Sequence, residues 1–525
     1  MSSAGLLRLI HSGLQDERLL PPKGQPRIDF FEKAYVKAGR FTTEWYRVDF
    51  DNRPQFGQVA KATLPRRGHL ITRAFLVSQM PDILTRQNQA RAWCTQNNKS
   101  FAGPTFGWTN SVGHVLINQA QVTIANSPIS TMDGRLMEIL DEFHTPLEKV
   151  TTVNRLLGRK DSGFTPYSNQ GTQFVTPLPF WFSRGDPSAA LPIDAIGTDQ
   201  VQLNITFNTI ANLYQTTSRS QNNLGQQTLP ELLNSPFYYL DSATGESVYG
   251  LNGNPNKSVL ASKVPSGSTI NNISLTMPES LELGTDTYLL LEYVYLDKPE
   301  ANRIRLGDLS YPIVNHYAIE PYLTRGSISA RIPLRIPNPI RDMYFYCNRT
   351  DAALLNAPFL ATRDLSGTFI PDVSGVGVVA PWWPDASGLS TSRFLPLVPS
   401  FSELESEPIS TLALLYEGRI VRYATDCPTF FRSILSSFEQ RKSPWHNKYI
   451  YHLPFGTQHE LFGVTQHAGE GNLDKIPNIA LELSFTPYRG TITANQVPTY
   501  TVYIYAETYN ILRVYGGRAG LLFAY

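Results

Sequence analysis

The feature that most constrains the fold of this 525-residue chain is a two-residue alternation of apolar and polar side chains. It runs through 201–207, 479–485 and 500–506, where large apolar residues recur at every second position. Successive side chains of a β-strand point to opposite faces, so this period predicts strands with one buried face. The 26 Tyr and 27 Phe suit half-buried strands, and the 38 Pro and 36 Gly are spread along the chain as turn residues. We therefore expect a mostly-β protein.

Helical periodicity occurs in only two places. The first follows Asp133, a candidate N-cap, and its apolar residues recur at three- or four-residue spacing: Leu136, Ile139, Leu140, Phe143 and Leu147. The second follows Pro428-Thr429 and shows a similar spacing: Phe430, Phe431, Ile434, Leu435 and Phe438. Two helices are too few for βαβ units, so we expect them to be short insertions between strands.

The length and composition predict two domains. A single hydrophobic core stops growing near about 250–300 residues, and hydrophobic residues make up 42% of this chain. The boundary is expected where a strand predicted over 289–296 gives way to the charged sequence Lys298-Pro299-Glu300. We expect an N-terminal arm over 1–26, a first β-sandwich over 27–299 and a second over 300–525.

Three stretches predict long surface loops, at 215–227, 251–272 and 363–392. They are rich in Asn, Gln, Gly, Pro or Ser and lack a regular apolar period. Long loops in an ordered β protein bury little surface and commonly carry function. We therefore expect these stretches to form functional surfaces.

The charge composition excludes proteins that work mainly by coating nucleic acid. Lys and Arg number 45 against 44 Asp and Glu, which leaves a net charge of +1 and a pI of about 7.7. Binding to phosphates requires a basic surface, so we expect no direct nucleic-acid partner. Weak net repulsion also allows many copies of the chain to pack closely.

The chain shows neither a transmembrane helix nor a disulfide framework. Its apolar runs are shorter than the about 20 residues that a bilayer requires. Arg8 interrupts the only run, 6–14, that resembles a signal-peptide core. Cys94, Cys347 and Cys427 are too scattered for disulfides or a zinc site, so we expect buried thiols in a reducing compartment. These features predict a soluble, cytosolic protein.

No metal-binding or dinucleotide-binding motif is complete. His459-Glu460 begins a zinc-protease motif, but Gly463 occupies the position of the second histidine. His452 and His467 complete only a loose trio, which we interpret as surface histidines. The glycine-rich stretch 375–380 is followed by Pro-Trp-Trp-Pro, so no helix can begin there to hold a pyrophosphate.

Three glutamates, Glu403, Glu405 and Glu407, are the remaining catalytic candidates. Alternate residues of a strand lie about 6.6–6.8 Å apart, whereas a retaining glycosidase needs carboxyl groups about 5–5.5 Å apart. Pro408 and neighbouring serines favour a solvated loop. We therefore expect no catalytic, metal-binding or cofactor-binding residues, and no enzymatic activity.

Basic pairs and glycosylation sequons are scattered along the chain. The basic pairs are interpreted as solvated strand ends: Arg66-Arg67, Arg159-Lys160, and Arg303 with Arg305. Asn-x-Ser/Thr sequons occur at Asn98, Asn204, Asn256, Asn272 and Asn348. We retain Asn256, in the most loop-like setting, and Asn98 as glycosylation candidates, whereas Asn204 is predicted on the polar face of a strand.

Seven motifs occur along the chain in the order found in one protein family. They are Gly13-Leu14-Gln15-Asp16, Phe30-Phe31, Leu178-Pro179-Phe180-Trp181-Phe182, Glu292-Tyr293-Val294-Tyr295-Leu296-Asp297, Asn338-Pro339-Ile340-Arg341-Asp342, Tyr509-Asn510-Ile511-Leu512-Arg513 and Gly516-Gly517-Arg518-Ala519-Gly520-Leu521. Together they resemble the double jelly-roll major capsid proteins of the nucleocytoplasmic large DNA viruses (iridovirus-, phycodnavirus- and marseillevirus-like). The chain departs from the family pattern at Pro299-Glu300-Ala301 and at Arg518, where the family has an apolar residue.

The resemblance implies an all-β fold of two consecutive eight-stranded jelly rolls with a few short inserted helices and long loops. It implies a structural capsid protein whose homotrimers, with two similar lobes in each chain, act as pseudo-hexameric capsomers of an icosahedral shell. The implied location is the virion, assembled in the host cytoplasm, with neighbouring capsomers as partners. The long loops over 215–272 and 363–392 are then expected on the outside of the shell.

The N-terminal arm is expected on the inside of the shell. Leu6, Ile10 and Leu14 recur at four-residue spacing and give the arm one apolar face. Gln15 and Asp16 belong to the motif that resembles the family's arm. The expected partners of the arm are minor capsid proteins and the internal membrane.

Two alternative functions stay open. A minor capsid or scaffold protein can have the same jelly-roll architecture. A carbohydrate-binding or hydrolytic jelly-roll protein can also have it, because fold alone does not decide function. The latter requires an aromatic cleft with convergent carboxylates, for which the sequence offers Trp382-Trp383 and the three glutamates.

Overall fold

Antiparallel β-strands dominate both halves of the chain, as the alternation predicts. The computed structural model describes residues 41–81, 83, 106–159, 173–185, 189–216, 282–350, 356–359, 361, 363, 371–372, 393–394, 407–444, 448–456, 469–487 and 497–523. In these ranges every pair of neighbouring named strands is antiparallel. No helix in them is long and apolar enough to cross a membrane.

Eight strands of the first half form two four-stranded sheets, which we call the first lobe. One sheet contains, in spatial order, β1 (Phe41–Val48), β10 (Tyr288–Leu296), β3 (Leu70–Gln79) and β7 (Gln173–Pro177). The other contains β2 (Val59–Thr63), β8 (Val201–Phe207), β5 (Ile117–Ile124) and β6 (Ser127–Met132). A short pair lies outside these sheets, formed by β4 (Phe106–Trp108) and β9 (Tyr214–Thr216).

The second half repeats this arrangement in what we call the second lobe. One sheet contains β11 (Leu309–Leu323), β20 (Tyr500–Tyr515), β13 (Ile340–Arg349) and β18 (Ile450–Pro454), and β21 (Arg518–Leu521) pairs with β20. The other contains β12 (Ser329–Leu334), β19 (Ile479–Phe485), β16 (Ile409–Tyr416) and β17 (Ile420–Thr425). A separate two-residue pair is formed by β14 (Pro371–Asp372) and β15 (Arg393–Phe394).

The two lobes have the same strand connectivity. When the eight sheet strands of either lobe are counted in chain order, the first, eighth, third and sixth form one sheet. The second, seventh, fourth and fifth form the other. Each lobe is therefore a hairpin of four strand pairs rolled into two facing sheets, which is a jelly roll. The sequence shows no clear internal repeat, because this duplication lies in the backbone topology and not in matched residues.

Both predicted helices are present. Helix α2 (Gly134–His144) begins after Asp133, whose Oδ1 accepts a 2.7 Å hydrogen bond from the backbone N of Leu136. The second predicted helix begins with a π-helical turn (Phe430–Ile434) and continues as α5 (Leu435–Glu439).

Three further helices have no clear apolar period in the sequence. Helix α1 (Val112–Val115) has four residues, too few to show a repeat, and α3 (Val150–Leu157) has eight. Helix α4 (Lys298–Leu306) connects the lobes and buries only Ala301, so it has no apolar stripe. The domain boundary expected between 299 and 300 falls inside this helix.

Each lobe encloses a core between its two sheets. Leu203 and Leu291 are fully buried in the first core, and Phe345 and Leu481 in the second. Burial of one such side chain contributes about 1.5–3 kcal/mol. Strand β20 departs from simple alternation, because every residue over 504–508 is buried. Both faces of β20 are covered there, one by its own core and one by the first lobe.

Candidate functional site

Helix α2 of the first lobe packs on the outer face of the second lobe's sheet. The ring centroid of Phe143 lies 5.1 Å from that of Tyr344 on β13 and 5.6 Å from that of His452 on β18. At the other end of α2, the hydroxyl of Tyr505 on β20 donates a 2.7 Å hydrogen bond to Oδ2 of Asp133. The helix therefore crosses three neighbouring strands and ties the two lobes together.

A buried charge cluster lies beside this aromatic contact. Lys448 Nζ of the second lobe lies 2.5 Å from Glu138 Oε1 and 2.7 Å from Glu142 Oε1, both on α2. Lys442 Nζ lies 3.4 Å from Glu142 Oε2. The carboxylates thus come from one lobe and the ammonium groups from the other. We call these groups, together with Arg159, the inter-lobe charge cluster.

Arg159 completes the cluster from the first lobe. Its Nη2 lies 2.5 Å from Glu138 Oε2, its Nη1 also pairs with Asp141, and its Nε donates to Ser111 Oγ at 3.0 Å. His114 Nδ1 lies 2.7 Å from Glu138 Oε2. Every side chain in this group is buried or nearly so. Loss of one partner would therefore leave an uncompensated charge in the interior.

Local sequence places these groups. Glu138 and Glu142 are four residues apart on α2, so they lie on the same face of the helix. Arg159 is turned back toward them because α3 ends at Gly158, which has a φ of 69°. A Cβ at Gly158 would lie 2.7 Å from the ring of Phe174, so this position requires glycine for both conformation and space.

Electrostatics in the cluster favour the charged forms. Burial alone would raise the pKa of Glu142, but Lys448, Arg159 and Lys442 outweigh burial and lower that pKa to about 2. Burial likewise opposes ionisation of Glu138, yet Arg159 and Lys448 hold its pKa well below the usual range. The pKa of Arg159 is raised despite burial, because three carboxylates surround its guanidinium.

The residues predicted for assembly and glycosylation lie outside the described ranges. This applies to the arm residues Leu6, Ile10, Leu14, Gln15 and Asp16, and to Asn98 and Asn256. The predicted loops over 215–272 and 363–392 are described only at 215–216, 363 and 371–372. Among the other sequons, Asn204 lies half-buried on β8 as predicted, whereas Asn348 is buried on β13 and therefore closed to a glycan.

Four interpretations made from the sequence are wrong. Arg159 is no solvated strand end, because it is buried among carboxylates. His452 is no surface histidine, since it lies fully buried in β18 with Nε2 2.8 Å from Asp342 Oδ1. Glu407 lies buried, 3.4 Å from Arg432 Nη2, and Tyr451 donates a hydrogen bond to it. Cys427 is exposed, whereas Cys347 is buried as expected.

These positions carried little signal in the sequence. Glu138 and Glu142 share a face of an amphipathic helix, which a helical wheel shows, but their burial depends on a second lobe arriving about 300 residues later in the chain. Arg159 belonged to an ordinary basic pair. In the described part of the chain, no group of three or more His, Cys, Asp or Glu residues is arranged to hold a metal ion.

Comparison with known proteins finds similarity to viral capsid proteins. The family model for the major capsid protein N-terminus matches residues 29–233, which include most of the first lobe. The major capsid protein of Phaeocystis pouchetii virus is 22% identical over 99% of this chain and 100% of its own length. A chain of the PBCV-1 virus capsid has the same fold, with a TM-score of 0.62 and 16% identity over 95% of this chain and 100% of that one.

This chain is similar in sequence to the major capsid proteins of large DNA viruses. The fold expected from the resemblance, an all-β double jelly roll, is confirmed. Other matches cover only part of the relative. The match to probable capsid protein 4 of Acanthamoeba polyphaga mimivirus is 25% identical and spans 41% of this chain and 39% of the relative. The inter-lobe charge cluster and the α2 contact therefore lie between the two jelly rolls of the chain.

Removal of the Arg159 side-chain charge should destabilise the protein strongly. Arg159→Met leaves three carboxylates near one another without their central cation. Breaking a buried ion pair in this way costs about 3–5 kcal/mol. Arg155→Met, four residues earlier on the exposed side of α3, is the matched control and should change the free energy of unfolding by less than about 0.5 kcal/mol. Denaturant unfolding measures both, and equal effects of the two variants would contradict the role assigned to the cluster.

The cluster should also make stability depend on pH in the acid range. The pKa of Glu142 is about 2 in the folded chain and has an ordinary value of 4.5. A carboxylate with a lowered folded pKa stabilises the protein above its unfolded pKa, and this contribution is lost as pH falls from 4.5 through about 2. Calorimetric melting temperatures should therefore fall more steeply over this interval in the wild type than in Glu142→Gln. Parallel curves for the two proteins would argue against the assignment.

Proposed function

We propose that this chain is the major capsid protein of a large DNA virus, forms homotrimers, and builds an icosahedral shell from them. The observation that carries the proposal is the duplicated jelly roll: both lobes have one strand connectivity within a single chain. Three such chains present six similar lobes. A trimer of this kind can occupy a six-fold position in a lattice although each chain has one sequence.

The inter-lobe contact supports this role. A six-lobed capsomer keeps its shape only if the two lobes of each chain are held at a constant angle. The tilted ring contact of Phe143 with Tyr344 and the ion pairs of Lys448 with Glu138 and Glu142 hold the lobes together across the interface. Buried ion pairs penalise a shifted register, because displacement leaves charges unpaired in a low-dielectric interior.

We infer a structural role for the protein, and the chemistry of the described residues supports it. The buried carboxylates Glu138, Glu142 and Glu407 are paired with cations. Homologues named as capsid proteins support the same role. The proposed location is the virion, after assembly in the host cytoplasm, and the proposed partners are neighbouring capsomers.

The N-terminal arm remains a proposal based on sequence. We assign residues 1–26 to the inner side of the shell, where the apolar face of Leu6, Ile10 and Leu14 would contact minor capsid proteins or the internal membrane. The loops over 215–272 and 363–392 are assigned to the outer side. A minor capsid protein would differ in abundance within virions, and a carbohydrate-binding protein would bind glycans as a monomer.

Electron microscopy of the purified full-length protein tests the proposal. We expect three-fold particles with six-lobed bases and a mass in solution three times the 58.8 kDa of one chain. Particles that remain single chains at every concentration, or that bind glycan arrays as monomers, would reject the capsid assignment.

Deletion of residues 1–25 should separate trimer formation from shell assembly. The arm is assigned to contacts inside the shell. The shortened chain should therefore still sediment as a trimer but give fewer closed particles. Sedimentation velocity and particle counts by electron microscopy measure the two properties. Loss of trimers in the shortened chain would contradict this division of roles.

A further inference from the structure

The second lobe presents an apolar helix face to solvent. The exposed fractions of Phe430, Ile434 and Phe438 are 41%, 49% and 69%. These residues are four apart on the helical segment Phe430–Glu439, so they form one stripe. The opposite face of the segment packs on the second core through Phe431 and Leu435. A stripe of this kind is typical of a surface that a partner covers.

The first lobe contains a helix at the corresponding place in the chain. Helix α2 follows the fifth sheet strand of the first lobe, β6, and Phe430–Glu439 follows the fifth sheet strand of the second lobe, β17. Each segment therefore lies in the connection between the fifth and sixth strands. In the first lobe this helix is covered, because it packs on the outer face of the next lobe's sheet. Its counterpart in the second lobe has an exposed stripe.

The surface that α2 contacts also has a counterpart. On the second lobe, the contacted residues Tyr344 and Tyr505 lie opposite each other in the register of the third and eighth strands, β13 and β20. On the first lobe, the third and eighth strands are β3 and β10, where Phe75 lies opposite Leu290. These two side chains are only half-buried.

An exposed tryptophan extends this patch. Trp45 on β1 is 45% exposed, and its ring centroid lies 5.7 Å from that of Phe75. Residues Ala74 and Leu76, which flank Phe75 along β3, are buried in the first core, so Phe75 and Trp45 lie on the outer face of the sheet. We call Trp45, Phe75 and Leu290 the sheet patch, and Phe430, Ile434 and Phe438 the helix stripe.

We propose that the helix stripe of one chain docks on the sheet patch of a second copy of the same chain. This inference rests on the proposed trimer and names its contact surfaces. The argument is equivalence: within one chain, the helix after the fifth strand of one lobe already binds the outer sheet face of the next lobe. Between chains, the second lobe repeats the contact on the first lobe of the neighbour. Each lobe of the ring then uses one helix and one sheet face.

The contact is head-to-tail, because the stripe and the patch are different surfaces of the chain. Heterologous contacts of this kind produce a closed ring when the rotation between units closes. Contacts within chains would alternate with contacts between chains around six lobes. The intermolecular contact is more apolar than the inter-lobe contact, since Phe438 and Trp45 replace ion pairs as its exposed anchors.

Complementation between two variants tests the inference. Phe438→Asp removes the stripe and Trp45→Asp removes the patch, and each variant alone should lose the trimer and sediment as a single chain. An equimolar mixture retains one intact stripe and one intact patch, on different chains. We therefore expect the mixture to form a species of two chains, which mass photometry and sedimentation velocity resolve. Neither variant alone should form this species.

Leu306→Asp is the matched control, because Leu306 on α4 is 83% exposed and lies in neither surface. It should remain trimeric, and melting curves should show that all three variants are folded. If the wild type is trimeric and both surface variants also remain trimeric, the named surfaces are wrong while the capsid proposal stands. If the wild type itself never forms trimers, both the named surfaces and the proposed function are wrong. A mixture that stays monomeric would contradict head-to-tail docking.

Discussion

Helix α2 carries a phenylalanine and two carboxylates out of the first lobe and buries them against the second. The ring of Phe143 packs at a tilt against that of Tyr344, and Lys448 from the second lobe pairs with both Glu138 and Glu142. Hydrophobic contact alone would tolerate sliding of one lobe over the other, since it has no direction. Buried ion pairs do not tolerate such sliding, because a displacement separates the partners and leaves unpaired charges in the interior. The relative position of the two lobes therefore depends on this contact.

Because the strand connectivity is duplicated, the helix that makes this contact has a counterpart in the second lobe. One chain contains two lobes with the same strand connectivity. The helix-on-sheet contact that joins the first lobe to the second can therefore recur, in a similar form, between the second lobe and another chain. The first junction, between the two lobes of one chain, combines aromatic ring contacts with charge pairing. The second lobe keeps the corresponding helix but carries Phe430, Ile434 and Phe438 on its exposed face. Different side chains at matching places would allow one junction to be permanent and the other to form only on assembly.

Much of the fold was predictable from local pattern, and the charge cluster was not. The alternation at β8 and β19 and the periodicity of α2 identified those elements because each depends on nearby residues. Arg159 and His452 were misread as exposed, since charged and titratable residues are usually at the surface. Their burial results from partners far away in the chain: Lys448 lies 310 residues from Glu138. No local pattern encodes such a pairing.

The sequence by itself determined the strand class of the chain, the position of its two main helices and its family resemblance, because period, capping and motif order are local properties. Only the tertiary structure decided that the two halves share one connectivity and that α2 faces a second lobe. It also decided that both faces of β20 are buried over 504–508. Strand order and burial depend on which distant segments meet, and many pairings are compatible with the same alternation. Long-range packing selects among them, and it is the same packing that leaves Phe438 and Trp45 exposed.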